Sequence, residues 1–517
     1  MSDNVPSPSE CGADVDPTGT SDHDAHQIPT RGSTTSHVWD SGAKKIPYHA
    51  IADWTTLRNI HQPVAKMFHV AYLADVGAEP KSRPLTFVFN GGPGAASAFL
   101  HMGAVGPQRV SFGPEGSLPA PPARVVENAE SWLDFTDLVF IDPLGTGFSR
   151  ALKPLTPKEG EAKSPKENQD YWEVDRDVES LGDFITRFLS AHGRWLSPIF
   201  IAGESYGGFR VAKMAAALQQ HHGVGICGAM LISPAIEFDG LFGSDYNLTH
   251  WIEVFPSLVA AAHRHQRSCF PESQPLRDVL AAAESFATSE LLRWLAAGDS
   301  LPAADRTRII QRASELLGLP AELIAATNGR IGPSAFCREL LRDQRRFVGR
   351  YDASVTTADP YPDRPNYEGP DPTLLSIDRL FASAVNHQLR DTLQVDTELE
   401  YRLLSMSVHA NWQDKTAKHA FRRAVGSLDD LRYGMSLNEH MEVFVSHGYY
   451  DLITPYYSSG RLSELMKLNE AQRGRLLLKN YQGGHMYYSW DESRVALRDD
   501  TQAFYAKCLH NATDTES

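Results

Sequence analysis

Ser205 stands in Gly203-Glu204-Ser205-Tyr206-Gly207, and this spacing is the first feature of the chain that can do chemistry. A short apolar run, Pro198-Ile199-Phe200-Ile201-Ala202, leads into it, and a helix-forming run continues to Gln220. Strand, sharp turn and helix in that order expose a serine hydroxyl at the carboxyl edge of a sheet. Glycines at 203 and 207 leave room where a side chain would strike neighbouring backbone. A helix starting just after Ser205 turns its positive end toward charge formed at the hydroxyl. Ser205 is therefore the candidate nucleophile. The competing reading is a tight strand-to-helix turn whose small residues only permit packing.

A serine hydroxyl is barely ionised at neutral pH, so it needs a base, and the base needs an orienting carboxylate. Where a nucleophile elbow carries such a triad, the order along the chain is Ser, then Asp or Glu, then His. Two loops downstream fit, each after a strand-like run: Gly448-Tyr449-Tyr450-Asp451 and Gly483-Gly484-His485. Asp451 and His485 thus fall just past strand ends, where open α/β sheets place their sites. Among the 20 histidines, His440 and His447 are the alternatives, but they fall before or within a strand. An oxyanion hole needs two backbone donors: the residue after the nucleophile, Tyr206, and one from a glycine loop after an earlier strand. Gly92 in Asn90-Gly91-Gly92-Pro93-Gly94 is placed for the second role. A phosphate cradle would want a lysine after the glycines, and Gly94-Ala95-Ala96-Ser97 supplies none.

Positioning these residues requires a sheet. Residues 45–75 alternate in the manner of an antiparallel meander. Near-continuous apolar runs at 84–89, 137–142, 198–202 and 229–233 suit strands buried on both faces. Tyr171 to Leu189 has helical apolar spacing, with Asp175, Asp177 and Asp183 expected on a solvated face. Strand and helix alternate, which predicts a largely parallel sheet. Residues 151–168 read as an exposed loop. The pattern then changes: 238–437 reads as an inserted, mainly helical cap, interrupted by a Pro- and Asp-rich loop at 358–373. Sheet-like sequence returns at 441–448 and 475–481. The expected organisation is a disordered tail (1–36), an α/β core (37–237 and 438–512) and the cap. The tail is expected because its Ser, Pro, Thr, Asp and Gly cannot bury enough surface to offset ordering entropy.

The chain has 517 residues, a net charge of −15, and 42% hydrophobic and 10% aromatic residues, which fits a globular protein. The negative charge argues against general nucleic-acid binding, which needs cations to neutralise phosphates. No stretch approaches the roughly 18 apolar residues of a membrane span. No basic segment followed by an apolar one opens the chain, so the expected location is cytoplasmic. Cys11, Cys227, Cys269, Cys337 and Cys508 are scattered, without metal-type spacing, as reduced thiols would be. Oligomeric state is left open.

Taken together, Asn-Gly-Gly-Pro-Gly at 90–94, Asp-Pro-Leu-Gly-Thr-Gly-Phe-Ser at 142–149, Gly-Glu-Ser-Tyr-Gly-Gly at 203–208, Gly-x-x-Asp at 448–451 and Gly-Gly-His at 483–485 resemble the serine carboxypeptidase family. The resemblance covers roughly residues 45–505 and is weakest in the cap, where Tyr351-Asp352 and 371–380 look like the bacterial branch. It implies an α/β-hydrolase fold, a Ser205–His485–Asp451 triad and an oxyanion hole from Gly92 and Tyr206. It implies that C-terminal amino acids are released from peptides through an acyl-enzyme, without metal or cofactor. It also implies that Asn90 and Glu204 bind the substrate carboxylate. Independently, a glutamate buried beside the nucleophile should have a raised pKa. Protonated, it can donate to a carboxylate; ionised, it repels one, so acid pH should favour activity. The chain departs from the eukaryotic pattern at Val88, Ala104 and Ala95, which stand where a tryptophan, a second acid and a disulfide cysteine are expected. An esterase or acyltransferase on the same scaffold is the runner-up, and a catalytically idle binding protein is the reading from another class.

Overall fold

The computed structural model describes residues 30–77, 83–152, 169–364, 367, 369, 371–415 and 425–513. Its main sheet is built from β1 (Ser33–Asp40), β2 (Lys45–Asn59), β3 (Gln62–Ala74), β4 (Leu85–Phe89), β5 (Asp137–Ile141), β6 (Ile199–Glu204), β7 (Gly228–Ile232), β8 (Glu442–Gly448) and β9 (Leu476–Tyr481). They lie in the order β1-β2-β3-β5-β4-β6-β7-β8-β9, and Arg150–Ala151 pairs with β3 as a short tenth strand. The β1/β2, β2/β3 and β3/β5 pairs are antiparallel. From β5 to β9 every neighbouring pair is parallel. The reason is visible residue by residue. β4, β5, β6, β7 and β8 are buried at every position, which explains the near-continuous apolar runs they contain. The first half of β2 instead alternates buried and exposed residues, as a strand with one wet face does.

The helices that matter for the site are α1 (Val174–Ala191) and α2 (Tyr206–His221). The Glu173 side chain caps α1 by accepting from Asp175 N and Arg176 N, and the apolar stripe from Val174 to Leu189 is buried. One expectation fails here. Asp175 is exposed and Asp183 is half-buried, but Asp177 is only 2% exposed and pairs with Arg210 of α2. Asp177 lies three residues after Val174 and four before Leu181, on the apolar face, so its charge is matched inside the protein rather than by water.

The expected tail also needs correction at one end. β1 begins at Ser33 and pairs along its length with β2, so 33–36 belong to the sheet. Backbone hydrogen bonds hold this polar stretch, and apolar burial, the signal used to delimit the tail, is silent about them. Residues 1–29 lie outside the described residues, as do 153–168 of the expected exposed loop.

Residues 238–437 do not pack as one body. The first part, with α3 (Thr249–Arg264) and the helices Leu276–Phe286 and Ala303–Leu317, builds its own core, which continues onto Tyr450, Leu452, Tyr456 and Trp490. The second part returns to the sheet. α4 (Leu375–His387) sets Phe381 against Phe99, ring centroids 5.0 Å apart. α5 (Leu428–Leu437) packs so closely on α2 that a Cβ at Gly434 would lie 2.7 Å from the Ala215 carbonyl. Among the described residues no helix is long and apolar enough to cross a membrane. Cys227, Cys269, Cys337 and Cys508 are free thiols.

Candidate active site

β6 ends at Glu204, and the chain turns at Ser205 with φ 61° and ψ −124° before α2 begins. Holding a non-glycine residue there costs about 1–3 kcal/mol, so the surroundings must fix it. They do so through backbone: Ser205 N donates to Ile232 O (2.9 Å), while Gly208 N and Ala235 N donate to Ser205 O (2.9 and 3.1 Å). The glycine loop after β4 closes on the same turn. A Cβ at Gly91 would lie 2.4 Å from Tyr206 N, and one at Gly207 would lie 2.6 Å from Phe89 O. Gly92, with φ 99°, follows directly in that loop. Tyr206 is the first residue of α2, so its N–H has no acceptor within the helix. Two backbone amides are therefore available close to Ser205.

Arg210, one turn into α2 and fully buried, ties these parts together. Its Nε donates to Asp177 Oδ2 (2.6 Å) and its Nη1 to Asn90 O (2.5 Å), with a longer contact to Gly91 O (3.4 Å). The guanidinium also lies over the Tyr206 ring, 4.9 Å from its centroid. From the other side, the extended stretch 402–405 crosses the loop: Ala96 N donates to Leu403 O (2.9 Å) and Ser405 N to Gly94 O (2.8 Å).

The remaining groups come from loops after β8 and β9. These strands are parallel neighbours with Gly448 beside Tyr481, so the loops emerge side by side. Asp451 is completely buried, and its Oδ1 accepts from Ile453 N (2.8 Å) and Thr454 N (3.0 Å). Its Oδ2 accepts from His485 Nδ1 at 2.6 Å. That bond fixes the tautomer and leaves Nε2 free as the basic nitrogen. Burial alone would lower the His485 pKa; the Asp451 carboxylate, its hydrogen bond and the nearby Glu204 outweigh it and hold the imidazole above its ordinary value. Thr454 Oγ1 joins the loops, bonding Asp451 Oδ2 (2.7 Å) and Ser233 O (3.0 Å), and Ser233 Oγ donates to His485 O (2.8 Å). Among the described residues Ser205 Oγ makes no hydrogen bond. Catalytic hydrogen bonds are often long before substrate tightens them.

The inserted segment fastens both loops. His485 N donates to Tyr351 O (2.5 Å), Ala353 N to Tyr450 O (2.9 Å) and Leu452 N to Arg350 O (3.1 Å). A Cβ at Gly484 would lie 2.2 Å from Tyr351 O, which is a physical reason for glycine before His485. The alternative histidines take no part. His447 bonds Thr454 O and Ser459 Oγ within β8, and burial pushes its pKa down to about 4; His440 is exposed beside Glu439.

Glu204, directly before Ser205, is 2% exposed, and burial pushes its pKa up to about 7. Asn90 Nδ2 donates to Glu204 Oε2, and Asn90 Oδ1 accepts from Leu100 N (2.9 Å). Tyr488 OH, 2.9 and 3.0 Å from the two carboxyl oxygens, is a partner that sequence reasoning missed. Val88 and Ala104 are packed in the apolar core and supply no polar side chain. Arg109, the nearest cation in sequence to the glycine loop after Lys81 and Arg83, points elsewhere: its electrostatic neighbours are Arg494, Glu130 and Asp491. The assembled groups can attack a carbonyl, stabilise the resulting oxyanion, relay a proton, and offer a carboxyl that changes charge near neutrality.

The serine carboxypeptidase family model matches residues 52–252. Serine carboxypeptidase-like 36 of Arabidopsis thaliana is 25% identical over 197 residues, 37% of this chain and 36% of the relative. Serine carboxypeptidase-like 46 of the same plant is 29% identical over 181 residues, 34% of each chain. The chain thus spans about a third of the length of the curated relatives it matches. Kex1(delta)p, a prohormone-processing carboxypeptidase from Saccharomyces cerevisiae, shares the fold with a TM-score of 0.51, covering 89% of this chain and 91% of the yeast protein at 16% identity. The fold is that of the α/β-hydrolases, and the region similar to the serine carboxypeptidase family spans the glycine loop and the Ser205 elbow.

Proposed function

We propose that this protein is a serine-type carboxypeptidase acting on peptides with a free C-terminus. Ser205 Oγ attacks the last peptide carbonyl while His485 Nε2 takes its proton, with Asp451 stabilising the imidazolium. The Gly92 and Tyr206 amides receive the oxyanion. His485 then protonates the leaving amine, and water hydrolyses the acyl-enzyme by the reverse sequence. The observation that carries the choice of substrate is Glu204: a buried carboxyl, bonded to Asn90, next to the nucleophile in the chain.

The pH dependence follows from charge. Protonated Glu204 donates to a substrate carboxylate, and ionised Glu204 repels it, so KM for free-acid peptides rises as pH passes about 7. His485 must be neutral to act as base, so kcat falls on the acid side. The resulting kcat/KM profile is a bell. The test compares a blocked dipeptide, its C-terminal amide and its ester across pH. The proposal expects the alkaline limb of KM for the free acid only. Equal behaviour of all three substrates would replace it with an esterase or acyltransferase, for which the apolar Val88 and Ala104 are the supporting observation.

A further inference from the structure

Glu204 is held by a residue of the turn Tyr487–Ser489, just after the loop that carries His485. We propose that Tyr488 positions the Glu204 carboxyl for recognition of the substrate C-terminus and sets the pH above which that recognition fails; this rests on the role given to Glu204 above. One phenolic proton is shared between two carboxyl oxygens at 2.9 and 3.0 Å, so Tyr488 OH faces the open fork of the carboxyl. Asn90 occupies Oε2, and Asn90 is itself fixed by Leu100 N. Of these two donors only Tyr488 reaches Oε1, which leaves that oxygen the one with capacity to engage a ligand.

The placement of Tyr488 is enforced. Its ring is fully buried and lies where a Cβ at Gly103 would come 2.7 Å from Cε2. Its neighbour Tyr487 bonds Ser446 through OH (2.6 Å) and stacks on Tyr481 at 4.9 Å, which anchors the turn Tyr487–Ser489. The titratable groups facing Glu204 are His485 and Asp451 from the catalytic loops, and Tyr487 and Tyr488 from this turn. Among the described residues no lysine or arginine forms an ion pair with it. The phenols stay neutral, because burial raises their pKa values above the ordinary tyrosine range. A neutral donor on a carboxyl favours the ionised form and so opposes the effect of burial. Tyr488 therefore does two things at once. It orients the carboxyl, and it keeps Glu204 from remaining protonated far above neutrality.

The two effects have opposite signs in Tyr488→Phe, and this separates them from general damage. Loss of orientation raises KM for a free-acid dipeptide at pH 5, by roughly 3–10-fold for one hydrogen bond. Loss of the donor moves the alkaline limb of that KM upward, by about half a pH unit or more. The ratio of kcat/KM for the free acid to that for the matching ester falls, because the ester makes no demand on Glu204. Gly103→Ala, which pushes on the ring without removing the hydroxyl, should change the ratio in the same direction and by less. Glu204→Gln should abolish the limb, and adding Tyr488→Phe to it should shift nothing further. An unchanged limb in Tyr488→Phe, with Glu204→Gln abolishing it, overturns the role of Tyr488 and leaves the carboxypeptidase assignment standing. Equal losses on acid and ester in Tyr488→Phe also overturn it, since the residue would then serve the His485 turn alone. A limb that survives Glu204→Gln overturns the reading of Glu204 itself.

Discussion

Arg210 offers the sharpest separation of stability from catalysis in this protein. It is fully buried, pairs with the equally buried Asp177, and donates to the carbonyls of Asn90 and Gly91 in the glycine loop. Arg210→Met removes the cation and leaves Asp177 uncompensated. Breaking one side of a buried pair costs about 3–5 kcal/mol. Burial already holds the Asp177 pKa up, and Arg210 is the main opposing influence. Without Arg210 the native carboxyl retains a proton that the unfolded chain releases. The variant's stability deficit should therefore shrink as pH falls and grow as pH rises above the unfolded value. Catalysis should respond differently. Deleting an oxyanion donor outright costs about 10²–10³ in kcat; Arg210→Met frees the loop that presents the donor, so a loss of about 10–10² is expected. The double variant Arg210→Met/Asp177→Leu removes both charges, and stability should return to near the parent value. Its kcat should stay low, because the Asn90 carbonyl has lost the Arg210 donor that holds it. Urea midpoints and single-turnover acylation with a chromogenic ester measure the two quantities. Joint recovery of stability and kcat in the double variant would refute the clamp and reduce Arg210 to a charge partner for Asp177.

Gly484→Ala places a Cβ against Tyr351 O and Asp352, so the inserted segment must move off His485; kcat should fall about tenfold or more with little change in binding of a neutral ester, and unchanged kcat would show that the segment yields harmlessly. A chain starting near Thr30 should keep its Tm, whereas one starting near Ser41 loses β1 and bares the edge of β2, so its Tm should drop; equal melting of the two would show that β1 contributes nothing.

The parallel strands, and the loops that carry the candidate residues Ser205, Asp451 and His485, are legible because each has a local signature. Buried strands read as continuous apolar runs, and the elbow, the Asp451 loop and the Gly-Gly-His loop follow strand ends. What escaped depends on contacts distant in sequence. Tyr488 meets Glu204 across 284 residues and Arg210 reaches Asn90 across 120, and neither pairing leaves a local pattern. Asp177 sits among Val174, Val178 and Leu181 on the buried face, and only its distant partner Arg210 shows that an acidic side chain can stay there. The split of 238–437 was hidden for a similar reason. Helical periodicity shows that α4 buries a face, but not that Phe381 finds Phe99 of the main core rather than the cap.

The nucleophile is the claim on which the rest depends, and a fluorophosphonate probe tests it directly. Intact mass and peptide mapping should show a single adduct, on Ser205. His485→Ala should slow its formation by about 10³-fold or more, Ser205→Ala should abolish it, and the Ser205→Ala/His485→Ala pair should hydrolyse substrate little worse than either single variant. An adduct on another residue, or undiminished hydrolysis by Ser205→Ala, would contradict the proposed mechanism at its root.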